Sequence, residues 1–241
     1  MNKLFWKRAL HLEKNEIYFF LIAILTSGFI LSFRKWGTDG FDYIIGLTNL
    51  AIYTFLFFSL FTIFVLTQKI LAARKGYKAE FTLWTNGPLI GVLITFMTYG
   101  FLPFLYLGNV NLDPIKRLRI GLFRRETQFK DLMLVGLAGP LSLLILILLI
   151  IEPLYFVTGH PFLIEIMTVA SIIILFTSLP LPHTNAMNIL MYSRGLWLLI
   201  FVFGLVSIFL ILLLNIISYV LALIVSMLII VIFYFYSSDF F

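Results

Sequence analysis

The sequence predicts an all-α, polytopic membrane protein with six to seven hydrophobic segments. Of its 241 residues, 62% are hydrophobic, and the mean hydropathy is +1.08. Soluble domains contain only about 45–50% apolar residues. The excess is expected where helix surfaces face lipid, because those surfaces must be apolar as well as the interior. We expect one integral membrane domain over residues 1–241.

The distribution of charge predicts contact with lipid, and the absence of cysteine excludes several kinds of site. The net charge is +6, and the basic residues lie between apolar runs, where they fix topology and meet anionic lipid. Lipid is therefore the expected partner, and nucleic acid is not. The chain has no cysteine, which excludes disulfides, zinc–thiolate sites and thiol nucleophiles. A basic start followed by a long apolar run predicts an uncleaved anchor in the cell membrane, with a cytoplasmic N-terminus.

The apolar runs give the order of the elements. Continuous spans are predicted at residues 17–33, 44–73, 132–151 and 162–179. The run 196–236 is long enough for two helices, so residues 198–241 are predicted to form a C-terminal helical hairpin that turns near Asn215 and Ser218. The stretch 87–107 is apolar too, but it is interrupted by Pro88, Gly91, Gly100 and Pro103.

Charge predicts the path of this interrupted stretch. Residues 108–131 carry six Lys and Arg against three Asp and Glu, a net charge of +3. If residues 87–107 crossed the bilayer, this basic segment would lie outside, against the positive-inside rule. We therefore expect residues 87–107 to re-enter on the cytoplasmic side, or to lie against the bundle as a helix and strand, with a single crossing as the alternative. Irregular backbone at membrane depth is tolerated when protein covers it.

Four short motifs follow one another in the middle of the chain. Residues 69–77 read KILAARKGY and end the second span, and residues 137–142 read LAGPLS inside a later span. Residues 179–182 read LPLP, with Asn185 soon after, and residues 189–194 read ILMYSR. Each motif alone is weakly specific, but their order and spacing together are more so.

In this order, the four motifs resemble the active-site flanks of archaeal-type site-2 proteases (peptidase M50), zinc metalloproteases that cut inside the membrane. The resemblance covers residues 60–197 and implies a three-helix core. It places the two zinc-binding histidines at Phe64 and Gln68, the catalytic glutamate at Val65 and the zinc-binding aspartate at Asn185. The core-packing positions that it implies are Gly139, Pro140, Pro180 and Pro182.

The residues at these positions cannot perform the family's chemistry. A zinc protease needs three strong ligands and a carboxylate base. Phenylalanine, valine and two neutral amides supply neither, and the three histidines, His11, His160 and His183, are never four residues apart. We expect no catalytic residue, no metal and no other cofactor. Glu80 is a poor replacement base, because it lies beyond the helix end, where it is expected to pair with Lys78.

The resemblance therefore implies a catalytically inactive relative that binds or regulates other transmembrane proteins, possible partners including an active homologue. Two alternatives stay open. One is an active intramembrane metalloprotease with atypical ligands. The other is a transporter or channel component, which the interrupted stretch 87–107 favours. The near absence of charged residues from the spans, apart from their ends, argues against it.

One geometric expectation follows from the vestigial positions. The helices that carry Gln68, Gly139 and Asn185 should pack together, since glycine lets two backbones approach closely. Gln68 and Asn185 are polar groups that need partners where water is scarce, so a hydrogen bond between them is predicted. Phe64 and Val65 should fill the former catalytic pocket.

Overall fold

The structure is a computed structural model, and it describes residues 13–37, 40–105, 108–114, 128–181, 184–214 and 219–237. Within these ranges the chain is mostly helical. The helices are α1 (Lys14–Ser32, continued by a 3-10 turn, Phe33–Lys35), α2 (Tyr43–Lys75), α3 (Asn86–Met97), α4 (Phe129–Leu146), α5 (Glu152–Thr158), α6 (Pro161–Thr177), α7 (Asn185–Tyr192), α8 (Arg194–Leu214) and α9 (Tyr219–Ser237). A π-helical turn, Ile147–Ile151, joins α4 to α5.

Two short strands depart from the all-α expectation. Strand β1 (Tyr77–Thr82) pairs antiparallel with strand β2 (Asn109–Pro114). Both strands alternate apolar and polar residues, with Tyr77, Ala79 and Phe81 in β1 and Val110 and Leu112 in β2. The all-α prediction missed this signal, which extends over only six residues in each strand.

Four helical stretches are long and apolar enough to cross a membrane: Lys14–Lys35, Tyr43–Lys75, Phe129–Thr158 and Arg194–Ile211. Three shorter apolar helices accompany them: Asn86–Met97, Pro161–Thr177 and Tyr219–Phe235. These lengths are compatible with an integral membrane protein. Helices α8 and α9 are the two helices expected at the C-terminus, and the predicted turn residues Asn215 and Ser218 lie outside the described residues.

Helices α1 and α2 run antiparallel and define two ends of the bundle. At the near end α1 begins and α2 ends; at the far end α1 ends and α2 begins. Helix α2 stops at Gly76, whose backbone φ of 85° is left-handed, a conformation that favours glycine. Helix α4 also begins at the near end, because Asp131 pairs with Lys75 at 3.1 Å and accepts a hydrogen bond from the Tyr77 hydroxyl at 2.8 Å.

The interrupted stretch leaves the near half of the bundle and returns to it. Thr82 at the end of β1 is paired directly with Asn109 at the start of β2, and Tyr77 is paired with Pro114. The two ends of the intervening segment are therefore neighbours. Neighbouring ends agree with a segment that leaves and returns to one end of the bundle, and not with a single passage from one end to the other.

A buried ion pair, absent from the sequence-based description of nearly uncharged spans, joins three elements of the near half. The Lys69 ammonium lies 2.5 Å from a carboxylate oxygen of Glu16, and the two side chains are only 2% and 3% exposed. The same oxygen accepts a hydrogen bond from the backbone N–H of Phe81 at 3.0 Å. Helices α1 and α2 and strand β1 are thereby held together.

A second polar cluster ties α6 to the far end. Glu165 of α6 pairs with Lys35 at 2.5 Å and accepts a hydrogen bond from the Tyr53 hydroxyl. The Lys35 ammonium also lies 4.9 Å from the centre of the Tyr53 ring. These contacts join the end of α1, the first half of α2 and the start of α6.

Replacing Lys69 with methionine should destabilise the fold by about 3–5 kcal/mol, because the buried Glu16 carboxylate loses its cation. The double variant Glu16→Gln, Lys69→Met should regain most of that loss. Unfolding of the purified chain in detergent measures both. The control is Lys78→Met, which removes a more exposed cation paired with Glu13 and Glu80 and should cost less than about 1 kcal/mol. A Lys69→Met variant as stable as this control would contradict the assignment of a buried ion pair between Lys69 and Glu16.

Candidate functional site

Helix α2 turns the predicted vestigial positions toward the interior. Phe64 and Gln68 are four residues apart and so lie on one face of the helix, and Val65 is beside them. All three are buried, with Gln68 0% exposed. The ring of Phe64 stacks on that of Phe61, with ring centres 5.9 Å apart. The expected apolar filling of this region is therefore observed.

Helix α4 contributes a carbonyl group that is free to bond outside its own helix. Pro140 lies inside α4 and has no N–H, so it cannot donate to the carbonyl of Gly136 four residues earlier. That carbonyl instead accepts from the Gln68 side-chain nitrogen, at 3.5 Å. The free carbonyl is predictable from the sequence motif, because a proline inside a helix cannot donate to the carbonyl four residues before it.

Gly139 permits the close approach of α2 and α4. A Cβ atom added at Gly139 would lie 2.5 Å from the Gln68 side-chain nitrogen and 2.6 Å from the Phe64 ring. Both distances are shorter than van der Waals contact, so a side chain at this position would force the helices apart. The core-packing role expected for Gly139 is consistent with this geometry.

Asn185 completes the arrangement from the start of α7. Its side-chain nitrogen donates to the Gln68 side-chain oxygen at 3.3 Å, which confirms the predicted hydrogen bond. The Gln68 amide thus accepts from α7 and donates to α4. We call the series Asn185, Gln68 and the Gly136 carbonyl the amide relay; both of its bonds are at the long end of the usual range.

The break between α6 and α7 positions Asn185. Pro180 is half-buried in this break, and the hydroxyl of Thr184 donates to the carbonyls of Leu179 and Leu181, at 3.0 and 2.8 Å. These bonds fold the connection back so that α7 begins beside α2. Pro182 and His183 lie outside the described residues.

A small cavity adjoins the amide relay, with a volume of about 20 Å³. Its walls are formed by Phe61, Phe64, Val65, Gln68, Phe81, Gly108, Asn109, Val110, Gly136, Pro140, Thr177 and Asn185. The space fits one water molecule, which needs about 10–15 Å³. The contributions of strand β2 and of Thr177 to the wall were not predicted, since nothing in the sequence indicated that β2 returns to this depth.

The donor set does not fit zinc. The side chains at the positions where the resemblance would place zinc ligands are an aromatic ring and two neutral amides, and the amides already bond to each other. Zinc sites in proteins use thiolate, imidazole and carboxylate ligands. Within the described ranges, no group of three or more His, Cys, Asp or Glu residues could hold a metal ion. No catalytic step can be derived from these side chains.

Glu80, the acidic residue nearest to the motif, does not reach the cavity. It pairs with Lys78, as predicted, and Lys78 also pairs with Glu13. All three belong to a charged cluster at the near end of the bundle.

Gly139→Ala should destabilise the fold by about 1–3 kcal/mol, because the new methyl group collides with Gln68 and Phe64. The additional change Phe64→Leu should recover part of this loss by removing ring atoms. Gly195→Ala is the matched control, because a Cβ at Gly195 meets nothing within 4 Å. Thermal unfolding in detergent gives the comparison, and equal stability of the two alanine variants would refute the close approach.

A double-mutant cycle tests the hydrogen bond between Gln68 and Asn185. Interhelical hydrogen bonds in membranes are worth roughly 0.6–2 kcal/mol, so Asn185→Leu should loosen the bundle modestly rather than unfold it. The variants Gln68→Leu, Asn185→Leu and the double variant should show a coupling free energy within that range. Additive effects of the two substitutions would show that the bond contributes nothing.

Comparisons of the chain with protein-family models, curated proteins and solved structures find no match.

Proposed function

We propose that this chain is a catalytically inactive, site-2-protease-like (peptidase M50-like) membrane protein that binds or regulates other transmembrane proteins. The amide relay is the observation that carries the proposal. It lies where the resemblance places the zinc ligands, and it joins the three segments, α2, α4 and α7, that carry the motifs. In an active relative, a metal ion would join these segments. Here hydrogen bonds join them, so the helix arrangement is retained without zinc ligands or a catalytic base.

The size of the cavity bears on where a partner would bind. A volume of about 20 Å³ excludes an extended peptide and a helix alike. A transmembrane partner therefore binds on the lipid-facing surface of the bundle, where interhelical packing and hydrogen bonds drive association. Regulation of an active homologue would use this surface. The chain would compete with the homologue for the same partner helices, or bind the homologue directly.

The proposed membrane placement uses six crossings: α1, α2, α4 with α5, α6, α8 and α9. The near end of the bundle is then cytoplasmic, because the basic N-terminal segment precedes α1 there. Strand β2 ends at the same end of the bundle, since Pro114 pairs with Tyr77; the basic residues 115–127 that come next in the sequence lie outside the described residues. The cell membrane is the proposed location.

Restoring the family's residues should create a zinc site. The variant Phe64→His, Val65→Glu, Gln68→His, Asn185→Asp should bind close to one zinc per chain, because the two histidines lie one turn apart on one helix face. The unmodified chain should retain almost none. Metal analysis after chelator-free purification measures both proteins.

The control for this experiment places two histidines with the same spacing two turns earlier on α2, at Phe57 and Phe61. Both residues are buried and neither is a member of the amide relay. Zinc bound equally by this control would show that the vestigial positions are not special. A folded restored variant without zinc would argue against a lost zinc site. Stoichiometric zinc in the unmodified chain would favour the active-protease alternative.

Isolation from native membranes in mild detergent tests the partner-binding part of the proposal. We expect specific transmembrane proteins to co-purify, and we expect no cleavage of them on incubation. The Gly139→Ala variant, in which the site is disturbed, serves as the comparison. Cleavage of a co-purified protein would overturn the inactive assignment, and recovery of lipid alone would overturn the binding role.

A further inference from the structure

Helix α1 provides a measure of depth through the bundle. It has 19 residues, which at 1.5 Å per residue makes it about 28 Å long. The hydrocarbon core of a bilayer is about 30 Å thick. Contacts at the two ends of α1 therefore mark the two faces of the bilayer, provided that the bundle lies in a membrane as proposed above.

The segment from β1 to the end of α3 follows α1 over this whole length. From the near end to the far end, the contacts join Glu13 to Lys78, Glu16 to Phe81, Ile30 to Gly91 and Phe33 to Phe96. Strand β1 and helix α3 together measure about 38 Å, enough for a complete crossing. This outward limb thus runs parallel to α1 from one face to the other.

The tip of the segment, residues 97–102, lies against the connection that joins α1 to α2 at the far end. A Cβ atom added at Gly100 would lie 2.7 Å from Cγ of Arg34. The Arg34 guanidinium lies 5.9 Å from the centre of the Phe101 ring. The tip therefore reaches the same depth as a loop between two crossing helices.

The described residues 103–105 and 108–114 then lead back through the bundle. The Phe104 carbonyl would lie 2.7 Å from a Cβ added at Gly91, and the Phe104 ring packs against Phe176 of α6, with ring centres 5.2 Å apart. Leu105 is buried, and β2 completes the return beside β1. Extended backbone covers about 3.3 Å per residue, so residues 101–114 are long enough for this path.

The backbone of the tip satisfies its own hydrogen bonds, as membrane depth requires. The N–H groups of Thr98 and Gly100 donate to the carbonyls of Ile94 and Thr95, at 2.9 and 2.7 Å. Phe101 donates to the carbonyl of Thr98 at 3.0 Å. The turn can therefore enter and leave a bilayer interface without exposing unpaired donors at these positions.

The exposed side chains of the tip have the chemistry of a membrane interface. Met97, Tyr99 and Phe101 are all strongly exposed, Tyr99 to 84%, and the tip contains no acidic residue. The neighbouring connection adds the exposed Arg34 together with Phe41 and Tyr43. Aromatic rings and arginine are the side chains favoured at headgroup depth, where rings lie among headgroups and the cation meets lipid phosphate.

We propose that residues 77–114 form a full-depth hairpin, which crosses the whole bilayer and returns, and that residues 97–102 anchor it in the lipid headgroup layer of the opposite face. The two limbs count as two crossings, so the basic residues after β2 stay on the side from which the hairpin starts. This inference needs only the proposed membrane placement, and it is independent of the inactive-protease assignment.

Single cysteines in this naturally cysteine-free chain test the crossing. Tyr99→Cys reports the tip and Asn111→Cys reports β2, while Phe41→Cys and Arg74→Cys mark the far and near ends. The readout is labelling by a membrane-impermeant maleimide in sealed vesicles, before and after permeabilisation. We expect positions 41 and 99 to be labelled from one side, and positions 74 and 111 from the other.

The full crossing by the hairpin is overturned if position 99 is labelled from the same side as position 74. If positions 41 and 74 are labelled from the same side, the membrane placement itself is wrong, so the two failures are distinguishable. The chain orientation does not matter, because the test compares position 99 with position 41.

A spin label at Tyr99→Cys tests the lipid anchor in liposomes of phosphatidylcholine and phosphatidylglycerol. Relative collision rates with oxygen and with a water-soluble nickel complex should place the label at headgroup depth. A label at hydrocarbon depth would overturn the full crossing, and a fully aqueous label would overturn the lipid anchor. Maleimide labelling in liposomes but protection in native membranes would show that a protein, not lipid, covers the tip.

Discussion

Pro140 is the residue on which the arrangement of the site depends. Because it lacks an N–H, the Gly136 carbonyl has no donor within α4 and must find one elsewhere in an environment with little water. Gln68 supplies that donor, and Gly139 leaves the space in which it can do so. Gln68 then has an oxygen to satisfy, which Asn185 does. This one missing hydrogen bond thus begins the series of contacts that links α4, α2 and α7.

The same requirement, that buried polar groups be paired, explains the rest of the near half. The Glu16 carboxylate is tolerable in the interior only because Lys69 and the Phe81 backbone N–H share it. The shared oxygen fixes β1 against α1, and β1 fixes the direction in which α3 leaves. The segment is therefore tied to the helix that it follows, and Phe104 on its return lies against Gly91 of α3 and Phe176 of α6.

The sequence predicted the helices better than their connections. Long apolar runs identify crossing helices because the signal extends over about 20 residues. Charge predicted the return of the interrupted stretch. The alternation of apolar and polar residues in the two strands was missed because each strand has only six residues, and nothing in the sequence indicated that Asn109 reaches the cavity wall. The relay between Gln68 and Asn185 was predictable because two polar groups had to be satisfied. The Glu16–Lys69 pair was missed because both residues lie near span ends, where charges are ordinarily solvated.

A disulfide between Gly136→Cys and Asn185→Cys tests most directly that α4 and α7 meet at the amide relay. A Cβ at position 136 would lie 3.1 Å from that of Asn185, near the separation of about 3.5–4.5 Å in disulfides. Mild oxidation in membranes should cross-link this pair nearly completely. The exposed pair Leu141→Cys and Met191→Cys on the same helices should remain reduced. Equal cross-linking of both pairs, or none at the first, would contradict the account.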